Sequence, residues 1–325
     1  MNHLPRYREL PTARTHPDRS AWGVFGDDDE AGTINLLTPE HARRAASLVR
    51  NGEVFSLNWD QEKPDPPILG RRPMQHHILD LKPGADDYYD SFYPQASTQW
   101  DALCHMPHPV HGYYNGRSQA DITGRSGSRN GIEHWARRGI VGRYVLADVE
   151  RYRARVGRPI RQDQSDAITA EDLEATLAGQ SVALEQGDIL LLRMGWVGWY
   201  DALDAPARRA LAEAGQALRT PGLAGQESMA EWLWDRHVGA VACDVPALEV
   251  LPSGPWNAPD PVATYEHYLH FRIIALLGLA VGEMFVLDPL AEACARDWRY
   301  TGLFTAAPLN KTGGAGSTGN ALAIR

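Results

Sequence analysis

Residues 95–108 read QASTQWDALCHMPH and crowd two amides, an indole, a carboxylate, a thiol and two imidazoles into one short run. Gln95, Gln99, Asp101 and His105 share parity. Side chains repeat with period two along an extended strand, so a strand would point all four the same way. A single helix cannot align all four, although it would bring Asp101 and His105 to one face. Two amides, a carboxylate and an imidazole on one face are costly to bury unless each finds a partner, which suits a cleft wall. An imidazole beside a carboxylate is equipped for proton transfer. Spacing alone leaves the plainer reading open, in which Asp101 caps a turn and His105 is a satisfied histidine.

A second stretch, EHYLHFRIIALLGLAVGEMF, flanks an apolar run with His267, His270, Arg272 and Glu283. A helix out and a strand back would return Glu283 to the end of the fold where His270 starts. The alternative is a helix with His270 at its polar edge and Glu283 on the surface. Asp244 follows an apolar strand in AVACDVPALEV; a carboxylate there can edge a site or cap the next turn. His108 and His111 sit in a Pro- and Gly-rich loop. No G-x-S-x-G elbow is present. The glycine-rich tail KTGGAGSTGN lacks the preceding strand and following long helix that a phosphate loop requires.

The elements that would carry these groups are legible from caps and periodicity. Thr38-Pro39-Glu40 opens a helix through about Val49, and Thr169 with Asp172 forms a capping-box pattern. PARRALAEAGQAL and SMAEWLWDRH are further helices, and HFRIIALLG is a buried helix ending at Gly278. GRYVLADV, GDILLLRMGW and VGAVACDV read as short apolar strands, with MFVLDPL a fourth. Lys63–Pro73 and Leu251–Pro261 read as loops, not linkers. Strands and helices mix without strict βαβ alternation, so the expected class is α/β with a mixed sheet.

A chain of 325 residues has room for a sizeable core. Its net charge of −9 and lack of a basic block argue against nucleic acid, which is bound by neutralising phosphates. Three widely spaced cysteines fit neither a disulfide framework nor a structural zinc site. The polar N-terminus does not read as a signal peptide, and the longest apolar run falls far short of the ~20 residues that span a bilayer. The expectation is a soluble cytoplasmic protein that binds neither nucleic acid nor membrane.

Six segments in order resemble the bacterial cyclase family, which includes kynurenine formamidase-like and isatin hydrolase-like amidohydrolases. They are WGVFGDDDEAGTINLLTPE, STQWDALCHMPHPVHGYYNG, GIEHWARRGIVGRYVLADV, GDILLLRMGW, HFRIIALLGLAVGEMFVLDPLAEACA and APLNKTGGAGSTGNALAI. The resemblance implies a swivelling β/β/α-type single domain over residues 1–325, with 1–50 as an extension packed on it. It also implies a homodimer or homotetramer.

The hydrolase branch carries H-x-G-T-H-x-D-x-P-x-H, in which the two leading His and the Asp bind metal and the last His is the acid–base group. Carried over by position, Asp101 matches the metal-binding Asp, His105 the acid–base His, and His270 with Glu283 the later ligand pair. Gln95 and Gln99 stand where the family has its two leading His. An amide is a weaker ligand for zinc than imidazole, so that metal position is expected to be lost. Asp101, His270 and Glu283 would hold one divalent ion, zinc or manganese. The implied activity is hydrolysis of a C–N or ester bond in a small cyclic or aromatic substrate. His105, with Asp101, would move the proton, and Gln95, Gln99, Trp100 and Tyr114 would touch substrate. Two other readings stand beside it: a metal-independent cyclase or lyase using His105 and Asp101, and a non-catalytic binding protein.

Overall fold

Apolar strands with alternating or fully buried faces assemble by pairing backbone groups, and here they do so in one large sheet. The structure, a computed structural model, describes residues 4–254 and 266–325. Strands are numbered in chain order: β1 (Val54–Ser56), β2 (Gln75–Asp80), β3 (Ala85–Asp90), β4 (Gln99–Asp101), β5 (Ile140–Asp148), β6 (Ala167–Ile168), β7 (Ile189–Arg193), β8 (Gly222–Leu223), β9 (Ala240–Cys243), β10 (Ala280–Glu283), β11 (Thr301–Ala306), β12 (Gly316–Thr318) and β13 (Ala321–Ile324). Among the described residues nine of them form a mixed sheet in the order β1-β13-β11-β5-β7-β9-β10-β4-β12. β5, β7, β9 and β10 run parallel through its centre, and β10–β4 and β4–β12 are antiparallel. The parallel strands are buried along nearly their whole length, as a sheet covered on both faces requires. No helix among the described residues is long and apolar enough to cross a membrane.

The helices start where the caps predict. Thr38 accepts from His41 N at the head of Pro39–Ala46, and Thr169 and Asp172 close a reciprocal capping box on Ala170–Gly179. PARRALAEAGQAL supplies Ala205–Glu213 and then a tighter turn, and SMAEWLWDRH supplies Glu227–Asp235. Two expectations change. HFRIIALLG forms a π-helical turn over Phe271–Leu276, not an α-helix. MFVLDPL is not a strand: β10 ends at Glu283, Met284 takes a left-handed φ of 54°, and Asp288 opens a helix to Asp297. The loop at 251–261 lies only in part within the described residues.

Two glycines make the approach to the site possible. Gly278, with φ 65°, turns the chain from the π-helical segment into β10, and a Cβ there would meet the Tyr114 ring at 2.5 Å. A Cβ on Gly282 would strike the Phe285 ring at 2.7 Å. The N-terminal residues lie against the same region: Trp22 Nε1 donates to Ala275 O, and Thr33 N donates to Gly278 O.

Candidate active site

The register of three strands assembles the site. Gln99 pairs with Glu283, and Asp101 pairs with Val281 on one side and Gly316 on the other. Directly paired residues point to the same face, and so do residues two apart. Gln99, Asp101 and Glu283 therefore share one face of the sheet. The π-helical turn, entered at His270, brings the imidazole over them.

Asp101, His270 and Glu283 each offer a ligand atom, all within 4.8 Å of one another, and all three residues are buried. His270 Nε2 lies 3.1 Å from Glu283 Oε1 and 3.7 Å from Asp101 Oδ2. Its other nitrogen, Nδ1, is 2.5 Å from Glu249 Oε2. Glu249 holds the ring so that Nε2 faces the two carboxylates, as outer-shell carboxylates do for metal-ligating histidines. Glu283 accepts from Leu248 N at 3.0 Å and from Gln99 Nε2. Both oxygens of Asp101 and Oε1 of Gln99 are shielded from solvent and lack a hydrogen-bond partner among the described residues. His105 Nε2 stands 3.6 Å from Asp101 Oδ1, with its side chain 22% exposed.

Each of these groups sits in the field of the others. Burial pushes the Asp101 carboxyl up, but His105 and His270 outweigh it and hold the group below the usual range. Glu283 is raised, by burial first and then by the charge of Asp101. His270 is raised well above an ordinary imidazole: burial pulls it down, and Glu249 with the other two carboxylates more than offsets that. Two carboxylates and an imidazole, one carboxylate without hydrogen bonds, form a donor set that fits a single divalent cation.

A cavity of about 490 Å³ opens onto the centre, with His105, His270, Glu249 and Glu283 at its polar end and Met106, Leu218 and Phe271 among its apolar walls. This is the form of a small-molecule site.

The remaining expected residues fall elsewhere. Trp100, between Gln99 and Asp101, faces the opposite side of the sheet. It is fully buried against Phe285, Phe304 and Trp135, with Nε1 donating to Gly319 O at 2.9 Å. It is a core residue, not a substrate contact. Tyr114 is also fully buried, its hydroxyl donating to Asp29 Oδ2 at 3.1 Å, so it does not reach the cavity. Gln95 lies in a tight turn before β4, its amide 2.5 Å from where a Cβ on Gly316 would stand. The shared parity of Gln95, Gln99, Asp101 and His105 carries weight only for Gln99 and Asp101, because the extended segment is three residues long. Asp244 accepts from Met194 N and Gly195 N, both at 2.7 Å, and burial pushes its carboxyl up to about 7. It braces a chain turn. Glu249, six residues after Cys243 in the same quoted stretch, is the partner that spacing did not reveal, and Arg71 in the loop at 63–73 lines the cavity.

The chain belongs to the Cyclase family, whose profile matches residues 26–250. A crystal structure of a novel cyclase shares 33% identity, covering 94% of this chain and 99% of that one, with a TM-score of 0.78. Isatin hydrolase A from Labrenzia aggregata, bound to benzyl benzoate, is 17% identical over 84% of this chain and 93% of its own, with a TM-score of 0.59. Isatin hydrolase A from Ralstonia solanacearum is 19% identical over 84% and 92%, also at 0.59. These two share the fold. A comparison with curated proteins returns no match.

Proposed function

We propose that this chain is a metal-dependent hydrolase cleaving a C–N or ester bond in a small cyclic or aromatic substrate. One observation carries the reading: Asp101 is fully buried with neither oxygen hydrogen-bonded among the described residues, beside His270 and Glu283. A buried carboxylate without hydrogen bonds is costly, and a cation there would offset that cost. Asp101, His270 and Glu283 would hold the ion. When bound, a divalent zinc or manganese ion supplies Lewis acidity that polarises a carbonyl and activates water.

The chain's own residues supply the rest. Glu249 fixes the His270 ring, and Gln99 with Leu248 N fixes Glu283. His105 sits in the cavity wall and can carry a proton to a leaving group, a step worth ~10²–10⁴-fold. Gln99 Nε2 is committed to Glu283, which leaves only its Oε1 open to a ligand. The apolar walls suit a flat or cyclic substrate.

The test is metal content of protein purified without chelator, followed by turnover of aryl amides and esters before and after chelation. Stoichiometric metal and activity lost on chelation support the reading. Substoichiometric metal with activity that survives chelator refutes it. That result would favour a metal-independent acid–base pair, for which the 3.6 Å approach of His105 to Asp101 is the supporting observation.

The same proposal includes a cytoplasmic homodimer or homotetramer. The β2–β3 hairpin supports the assembly, because it exposes Ile78, Leu79, Tyr88 and Tyr89 on a two-stranded ribbon that is marginal alone in water.

A further inference from the structure

Arg71 is a cation in the cavity wall for which the hydrolase reading has no use. It lines the cavity together with His105, His270, Glu249 and Glu283. Among the described lining residues it is the one permanently charged cation, since a guanidinium does not deprotonate in proteins. Its Nη1 is shielded from solvent and has no hydrogen-bond partner among the described residues. The backbone presents it deliberately. Leu69 and Gly70 both adopt left-handed φ values, 57° and 74°, and Arg71 N returns to Ile68 O at 3.3 Å, closing a tight turn whose next side chain enters the cavity. A non-glycine residue with positive φ is uncommon, and it persists where the surrounding structure holds it.

An unpaired guanidinium nitrogen in a mostly apolar cavity is a strong site for a planar anion. Arginine matches a carboxylate with two parallel N–H···O bonds, and such charge-assisted pairs are about twice as strong as neutral ones. We propose that Arg71 anchors a carboxylate carried by the substrate, so that this site takes anionic compounds in preference to neutral ones of the same shape. The inference names the substrate class of the hydrolase reading and rests on it for the word substrate. The anchor itself is tested by binding alone.

Calorimetric titrations of the purified holoprotein with benzoate and benzamide compare two rings of one size that differ in charge. The wild type is expected to bind benzoate about tenfold or more tighter than benzamide. Arg71→Met is expected to erase that preference while leaving benzamide affinity unchanged. Equal binding of the two probes by the wild type, or absence of benzoate binding, overturns the proposal. So does a benzoate preference that survives in Arg71→Met, because the carboxylate would then be held elsewhere, at the Asp101–His270–Glu283 centre. Should Arg71→Met fail to fold, Arg71→Lys decides, since it keeps the charge and loses the fork. A reduced benzoate preference with intact benzamide binding supports the anchor, and an undiminished one overturns it. Protein without metal or turnover that still shows the Arg71-dependent preference would sink the hydrolase reading and leave the anchor standing.

Discussion

Replacing Glu249 by Gln changes one charge in a buried contact and little of its shape. Glu249 Oε2 lies 2.5 Å from His270 Nδ1, and the residues are 2% and 7% exposed. Two consequences follow. The carboxylate is the leading influence holding His270 above an ordinary imidazole, so its neutralisation lowers the pKa of that ring. A glutamine oxygen can still accept from Nδ1, but the ring loses the charged partner that raises its basicity and holds Nε2 firmly toward Asp101 and Glu283. Loss of such an outer partner costs 10–100-fold in metal affinity, about 1.4–2.7 kcal/mol. The pH dependence separates the two effects. His270 must give up a proton to bind a cation, so wild-type affinity should tighten about tenfold per pH unit while that ring stays protonated. In Glu249→Gln the proton leaves at lower pH, and the slope should flatten first there. Competition against a chromogenic zinc chelator at pH 6, 7 and 8 reads both quantities, with circular dichroism confirming the fold. Zinc affinity within twofold of wild type, with an unchanged pH slope, would refute the reasoning that Glu249 positions and charges His270.

Asp101→Asn should abolish metal loading and turnover and lower the melting temperature of metal-free protein at neutral pH, because His105 and His270 hold Asp101 below the usual carboxylate range and its charge therefore stabilises the fold, a loss only partly offset by relief of its repulsion on Glu283. Metal analysis with calorimetry checks it; an unchanged or raised melting temperature would count against a charge-stabilised Asp101. Trp100→Ala should destabilise the fold by about 3–5 kcal/mol, as core truncations of that size do, and urea unfolding measures it. A loss of substrate binding without loss of stability would restore Trp100 to the site. The ion pair of His134 Nε2 with Glu30 Oε2, 2.8 Å apart, should give a pH-dependent contribution. Its hydrogen bond to Glu30 raises His134 above 6.5, so that share is full below 6.5 and fades as pH rises through the folded value. Glu30 is pushed up by burial but held below 4.5 by His134 and its other partners, so its share is full above 4.5 and fades as pH falls through the folded value. His134→Ala should therefore lower the melting temperature more at pH 5.5 than at pH 8.5, and equal losses would contradict the linkage.

Much of the site was readable because strand alternation is local. Gln99 and Asp101 face one way whatever the rest of the chain does, and the same alternation sends Trp100 to the opposite face, a signal that argues against a substrate contact there. Strand parity does not extend to Gln95 and His105, because a turn precedes β4 and another follows it. Sequence spacing pointed to His270 and Glu283, yet it held no trace of Glu249 or Arg71, which come from the loop after β9 and the loop before β2.

Caps, apolar periodicity and the family's ordered segments, all written in contiguous residues, were enough to set the elements, the mixed α/β class and the candidate trio Asp101, His270 and Glu283. Tertiary structure alone decided that the antiparallel register of β4 and β10 sets Gln99 against Glu283, that Glu249 turns His270 Nε2 inward, and that Arg71 enters the cavity. Those facts depend on how segments distant in the chain pack together. Local backbone preference constrains each segment, but only the shared burial of all of them fixes where their side chains meet.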